Sequence, residues 1–308
     1  MKKSRIFLGC FLAFVLANFL HAQSQSVPDQ FFDSNGVKIH YTVQGKGEPV
    51  VLIHGYAVNI AWNWSGVMGL SDSYQLIALD NRGHGKSDKP HDAAAYDPGV
   101  MAGDTIRLLD HLKIRKAHIV GYSMGGFLTS VILTEHPERC LTATLGGAGW
   151  SSPEDRAATK GMLEQLAVSL ETGKGMTPLF IALNPPGQPL PSAEQLAQSN
   201  KMMLAANDPL ALAACARGGL AGLQVSEAKI RANKIPTLAL IGDKDPLKAG
   251  VDKLDGMMPN LKIVVIPGAT HMTAPSSSEF LSGLRVFLAE HSNGHPSEGA
   301  AAAAKGTH

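Results

Sequence analysis

The chain has 308 residues, of which 44% are hydrophobic, 17% charged and 6% aromatic, with a net charge of +1 and three cysteines. Soluble domains carry roughly 25% charged and 45–50% apolar residues, so this composition is globular and excludes a disordered chain, a collagen-like repeat or a coiled coil. The length allows a large core, in two domains of ~150 residues or in one larger α/β domain.

Lys2, Lys3 and Arg5 precede a stretch, 6–20, that is apolar except for Asn18. A basic start followed by ~7–15 apolar residues is the pattern of a secretory signal peptide, and Ala22 offers a small residue at the cut. The stretch is shorter than the ~20 residues that span hydrocarbon, which favours cleavage over a retained anchor. The expectation is an exported, periplasmic or secreted bacterial protein. Removing 1–22 takes away the three basic residues and no acidic one, so no basic surface remains to bind nucleic acid. No later run approaches ~18 apolar residues, so stable membrane insertion of the mature chain is not expected.

From residue 37 onward short apolar runs alternate with helical patterns. Residues 37–43 read as an alternating strand, and 50–53, 76–79, 117–120, 141–145, 237–241 and 261–266 as strands buried on both faces. Helical periodicity covers 101–112, 124–135 and 279–290. Alternating strands and helices imply a mostly parallel open sheet with helices on both faces. Residues 150–232 interrupt the rhythm: they are rich in Ala, Leu, Met and Gln, show no strand pattern, and read as a helical cap across one end of the sheet. The expected organisation is a signal peptide at 1–22, an α/β core at 30–149 and 233–290, the cap at 150–232 and a frayed tail at 291–308. Cys140 and Cys215 read as free buried thiols, since separation in sequence says nothing about their distance.

The chemistry concentrates in Gly121-Tyr122-Ser123-Met124-Gly125, between strand 117–120 and a helical pattern. A serine on a tight strand-to-helix turn has its hydroxyl lifted out of the sheet at a helix N-terminus, which favours negative charge there. Its base should follow in the order serine, acid, histidine. Beyond residue 136 the only histidines are His271, His291, His295 and His308, and the last three lie in the tail. His271 sits in a loop after strand 261–266, where ligand groups collect in open α/β sheets. His291 and His295 have helical metal-ligand spacing, but their Gly- and Pro-containing context argues against a metal site.

For the acid, Asp243 and Asp245 compete in Gly242-Asp243-Lys244-Asp245-Pro246. Asp243 could simply stabilise the turn. Pro246 biases Asp245 to extended geometry, able to project toward His271, so Asp245 is preferred.

These motifs resemble the α/β-hydrolase superfamily, in particular its serine esterase and haloperoxidase-like branch. The resemblance covers about 30–290 and rests on His54-Gly55-Tyr56, the run Asp80-Asn81-Arg82-Gly83-His84-Gly85-Lys86-Ser87, residues 121–126, residues 242–246 and residues 267–272, in that order. It implies Asp245 as the acid, and the backbone N–H groups of Tyr56 and Met124 as an oxyanion hole. Epoxide hydrolases and dehalogenases of the superfamily carry aspartate where this chain has Ser123. His54 and His84 precede Ser123 in Gly turns and read as structural, and Arg82 as an ion-pairing residue.

The expected reaction is therefore acyl transfer to water by Ser123, His271 and Asp245, without metal or organic cofactor. Met162, Met176, Met202 and Met203 in the cap suit varied apolar acyl groups, so small to medium carboxylic esters or lactones are the expected substrates. A carbon–carbon bond hydrolase using the same triad, and a non-catalytic binding protein on this fold, are the alternatives. Oligomeric state is not encoded in these patterns.

Overall fold

A computed structural model describes residues 27–223 and 225–292. The segment read as a signal peptide, His295 and nearly all of the tail lie outside the described residues. The centre is one eight-stranded sheet ordered β1-β2-β4-β3-β5-β6-β7-β8. Its strands are β1 (Gln30–Ser34), β2 (Val37–Gln44), β3 (Glu48–Ile53), β4 (Tyr74–Leu79), β5 (Ala117–Tyr122), β6 (Cys140–Gly146), β7 (Thr237–Gly242) and β8 (Leu261–Ile266). β2 runs antiparallel to both β1 and β4, and every other neighbouring pair is parallel.

Ten α-helices accompany the sheet among the described residues: α1 (Ile60–Trp64), α2 (Pro98–His111), α3 (Met124–Glu135), α4 (Pro153–Glu171), α5 (Thr177–Ala182), α6 (Ala193–Ala206), α7 (Pro209–Gly218), α8 (Glu227–Ala232), α9 (Lys248–Asp252) and α10 (Ser278–Glu290). The continuous apolar runs of β3 to β7 follow from covering both faces; β8, expected to be buried on both faces, is not, because it is an edge strand in which only Ile266 is buried. On one, Val51, Ile53, Ile77 and Ile119 meet Leu108 and Leu109 of α2 and Leu128 and Ile132 of α3. On the other, Val50, Leu52, Leu76 and Val120 meet Trp64 of α1 and Phe280, Leu284 and Phe287 of α10. Alternation with period two sends Val50 and Leu52 one way and Val51 and Ile53 the other, each fully buried side chain stabilising by about 1.5–3 kcal/mol.

Between β6 and β7 the described residues form helices and no strand. Local chemistry explains why. Ser152 and Asp155 make a reciprocal capping box before α4, Ser192 and Gln195 do the same before α6, and Asp208 caps α7 with Pro209 at its first turn. Helix α4 buries Leu163, Leu166 and Leu170 against α7, and Arg217 of α7 reaches Glu164 and Glu171 across that contact. No helix among the described residues is long and apolar enough to cross a membrane. Cys140 and Cys215 are both buried free thiols.

Candidate active site

β5 is wholly buried and delivers Ser123 at its C-terminal end, with α3 beginning at the next residue. Ser123 has φ 54° and ψ −120°, left-handed backbone that a residue with a Cβ adopts only when its surroundings enforce it, at a cost of about 1–3 kcal/mol. The enforcement is visible: the Ser123 N–H donates to Gly146 O at 2.8 Å, and the Phe127 N–H to Ser123 O at 3.0 Å. The flanking glycines are obligatory. A Cβ on Gly121 would lie 2.0 Å from Gly125 O, and one on Gly125 would lie 1.9 Å from Ile53 O.

The loops after β7 and β8 bring the other two candidates to that hydroxyl. His271 Nε2 lies 2.9 Å from Ser123 Oγ, and its Nδ1 lies 2.8 Å from Asp245 Oδ2. In the arrangement that satisfies all three, the serine O–H donates to Nε2 while Nδ1–H donates to the carboxylate, which fixes the imidazole tautomer. Asp245 Oδ1 accepts the Leu247 N–H at 2.8 Å. His271 and Asp245 are both only 3% exposed. Asp243 does not reach the histidine; it accepts the Gly268 N–H at 2.8 Å and ties the two loops together.

β3 ends in the opposite wall. His54 is fully buried, its Nδ1–H donating to Gly55 O at 2.7 Å and its Nε2 accepting the Asn81 N–H at 2.9 Å. Burial lowers its pKa, so the ring is neutral, as one donor and one acceptor nitrogen require. In a trans peptide the N–H points away from the carbonyl, so holding Gly55 O also sets the direction of the Tyr56 N–H. Asn63 Oδ1 accepts the Gly55 N–H at 2.9 Å, and a Cβ on Gly55 would sit 3.3 Å from Ser123 Cβ, so this loop lies directly against the serine. The Met124 N–H belongs to the first turn of α3, whose leading N–H groups have no partner inside the helix.

His84 is likewise scaffold: its Nδ1 lies 2.9 Å from Arg82 O, and burial pulls its pKa down to about 3. Arg82 makes a bidentate pair with Asp104, 2.7 Å at both contacts, and donates to Ala95 O at 2.8 Å. Burial alone would raise the pKa of Asp80. Hydrogen bonds from His40 and from the Lys86 and Ile60 N–H groups bring it down to about 2 instead.

Three residues have structural duties at the site that no motif assigns to them. Tyr122 donates its hydroxyl to His271 O at 2.5 Å, Asn63 holds Gly55, and Asn207 of the cap reaches Ala57 O at 3.1 Å. Each bonds a backbone group, which sequence spacing does not disclose. Among the described residues no cluster of three or more His, Cys, Asp or Glu is placed to hold a metal ion.

The sheet order, the strained serine turn and the His–Asp pair behind it define a class of α/β proteins built around a nucleophile on a strand-to-helix turn. The chain matches the alpha/beta hydrolase fold family over residues 48–275 and belongs to that family. It is 29% identical over 281 residues to a non-heme chloroperoxidase of Kitasatospora aureofaciens, covering 82% of this chain and 97% of that one. It spans less than half the length of the first curated relatives it matches. One of these is a 2-hydroxymuconate semialdehyde hydrolase of a Pseudomonas species, 38% identical over 122 residues, which are 38% of this chain and 43% of that protein. Among solved structures it is similar to an N-acyl homoserine lactone degrading enzyme, with a TM-score of 0.65 and 25% identity, covering 84% of this chain and all of that one.

Proposed function

We propose that the protein hydrolyses carboxylic esters or lactones of small to medium, largely apolar substrates through an acyl-enzyme on Ser123. The observation that carries this reading is the hydrogen-bonded line from Ser123 through His271 to Asp245. His271 takes the serine proton as Oγ attacks the carbonyl carbon, and Asp245 stabilises the resulting imidazolium without taking the proton. The tetrahedral oxyanion is held by the Tyr56 and Met124 N–H groups, each donor worth roughly 3 kcal/mol or more in the transition state. His271 then gives its proton to the leaving oxygen. Water, deprotonated by the same imidazole, attacks the acyl carbon, and the acid leaves as Ser123 regains its proton. The scheme needs no metal or organic cofactor.

The similarity to an N-acyl homoserine lactone degrading enzyme supports a small substrate carrying an acyl carbonyl. A second reading, hydrolysis of a carbon–carbon bond by the same residues, is favoured by the semialdehyde hydrolase relative. The test is hydrolysis of p-nitrophenyl esters from acetyl to palmitoyl by the protein and its Ser123→Ala variant. Turnover abolished in the variant supports ester hydrolysis. Fluorophosphonate labelling of Ser123 without ester turnover moves the reading to carbon–carbon cleavage, and neither labelling nor turnover overturns the enzyme reading. We also infer export, from the basic start and apolar stretch of residues 1–22; N-terminal sequencing of the exported protein should begin at Gln23.

A further inference from the structure

Residue 57 is alanine yet has φ 60°, in the left-handed region that disfavours any residue with a Cβ. It immediately follows Tyr56, and what holds it comes from the cap. Asn207 stands in extended backbone at the joint between α6 and α7. Its amide nitrogen has two protons, and both are used: one on Ala57 O at 3.1 Å and one on Met203 O, in the last turns of α6, at 3.0 Å. The same side chain therefore ties the loop of Tyr56 to the cap.

Two further contacts converge on the same place. The buried Tyr56 side chain donates its hydroxyl to Leu212 O of α7 at 2.7 Å. One turn further along α7, Cys215 Sγ touches Met124 Sδ at 3.8 Å. Tyr56 and Met124 are the two residues whose N–H groups face the oxyanion in the acyl-transfer reading, and each is gripped by α7 or by the residue leading into it. From the core side Asn63 fixes Gly55 N–H and His54 fixes Gly55 O.

We infer that Asn207 is a positioning residue for catalysis: through Ala57 it aims the Tyr56 N–H at the oxyanion, so that seating of the cap on the sheet completes the oxyanion hole. The inference rests on the acyl-transfer reading. It makes the cap part of transition-state stabilisation as well as a cover over the substrate. Loss of the grip should weaken binding of the oxyanion more than binding of the ester.

The experiment compares Asn207→Asp and Asn207→Leu with the wild type on a p-nitrophenyl ester, and measures inhibition by an alkyl trifluoromethyl ketone, whose serine adduct carries an oxyanion. Removing an oxyanion donor outright costs about 10²–10³ in kcat, so misaiming one should cost about tenfold, with the ketone Ki rising by the same factor and KM changing less than about twofold. The comparison variant is Asn200→Ala, which breaks an amide that ties the cap only to itself, at Met176 N and Thr177 Oγ1. It should lower the melting temperature and leave the ratio of Ki to KM unchanged. Should the Asn207 variants fail to fold, Tyr56→Phe removes the hydroxyl bond to α7 and keeps the backbone donor, and its ketone Ki should rise about threefold or more.

An unchanged Ki in the folded Asn207 variants, or in Tyr56→Phe where these do not fold, overturns the inference and leaves the acyl-transfer reading standing. A Ki raised equally by Asn200→Ala overturns it as well, by showing a general cap effect. A wild type that neither cleaves esters nor is labelled by a fluorophosphonate overturns the acyl-transfer reading, and this inference with it.

Discussion

Tyr122 donates its hydroxyl to the backbone carbonyl of His271 at 2.5 Å, so the residue preceding Ser123 in sequence holds the loop that carries His271. The bond is buried and crosses from the end of β5 to the loop after β8. Tyr122→Phe keeps the ring but leaves the His271 carbonyl unpaired, which should cost about 1–3 kcal/mol in stability. A looser imidazole should also lower kcat about fivefold to tenfold with little change in KM, as one hydrogen bond of ~1–1.5 kcal/mol implies. Thermal melts and steady-state kinetics on one ester check both. An unchanged kcat would mean that the loop is held by its other contacts alone.

The two aspartates of the 243–245 turn should separate cleanly. Asp245→Asn leaves an amide beside His271 Nδ1 and favours the wrong tautomer, which should lower kcat by about 10⁴. Asp243→Asn touches the Gly268 N–H at the loop junction and the exposed pair with Lys244, neither of which reaches His271, and its effect on kcat should stay within about threefold. Equal losses in both variants would refute the assignment of roles.

Acid stability follows from the buried histidines. His84 has its pKa depressed by burial from 6.5 to about 3, so below pH 6.5 the unfolded chain binds a proton that the folded one refuses. Stability should therefore fall as pH drops from 6.5 toward 3, at a limiting slope of about 1.4 kcal/mol per pH unit for this one group. His54 is shifted in the same direction, also by burial. Asp80 adds to the acid limb: its stabilisation is present above 3.8 and is lost as pH falls through about 2. His40 acts oppositely. Burial disfavours its cation, but Asp80 and Asp29 raise its pKa above 6.5 overall, so its contribution is full below 6.5 and fades as pH rises through the raised value. Denaturant titrations from pH 3 to 8 on wild type and His84→Gln should give a shallower acid limb in the variant. Coincident curves would place the acid sensitivity elsewhere.

Gly125→Ala tests the close packing beneath Ser123. The added Cβ would lie 1.9 Å from Ile53 O, a backbone atom that no rotamer change can move aside. The turn must open, so fluorophosphonate labelling of Ser123 should be slowed by about 10² or more, together with a loss of about 1–3 kcal/mol in stability. Labelling at the wild-type rate would show that the elbow tolerates the shift.

Much of this was legible in the sequence for physical reasons. Strands covered on both faces are continuous apolar runs, which is why β3 through β7 could be read from composition alone. β1 was not, because a five-residue edge strand with a mixed burial pattern has no such run. Its signal was the turn: Asn35 and Gly36 both take positive φ, 56° and 83°, the conformation favoured between hairpin strands, and Asn-Gly is the dipeptide that adopts it most readily. At the site, Ser123 and His271 stand out because a strained turn and a strand-end loop restrict which residues can be there. Asp245 stood out less, since Asp243 sits two residues away and only geometry distinguishes a turn stabiliser from a partner for the histidine. Tyr122 and Asn207 act on backbone atoms about 150 residues away and Asn63 on one eight residues away, and no local pattern marks these contacts.

The helical segment leaves the C-terminal end of β6 and returns at the N-terminal end of β7, and these parallel strands are neighbours, paired from Ala143 with Thr237 to Gly146 with Leu240, with the Gly147 N–H donating to Leu240 O at 2.8 Å. Ser123 precedes this insertion, while Asp245 and His271 follow it, so all three stand on strands that close up without it. A foreign cap spliced at those two points would leave the serine, histidine and aspartate in register. It would still lose the hold on Ala57 unless it brought an amide to the place of Asn207.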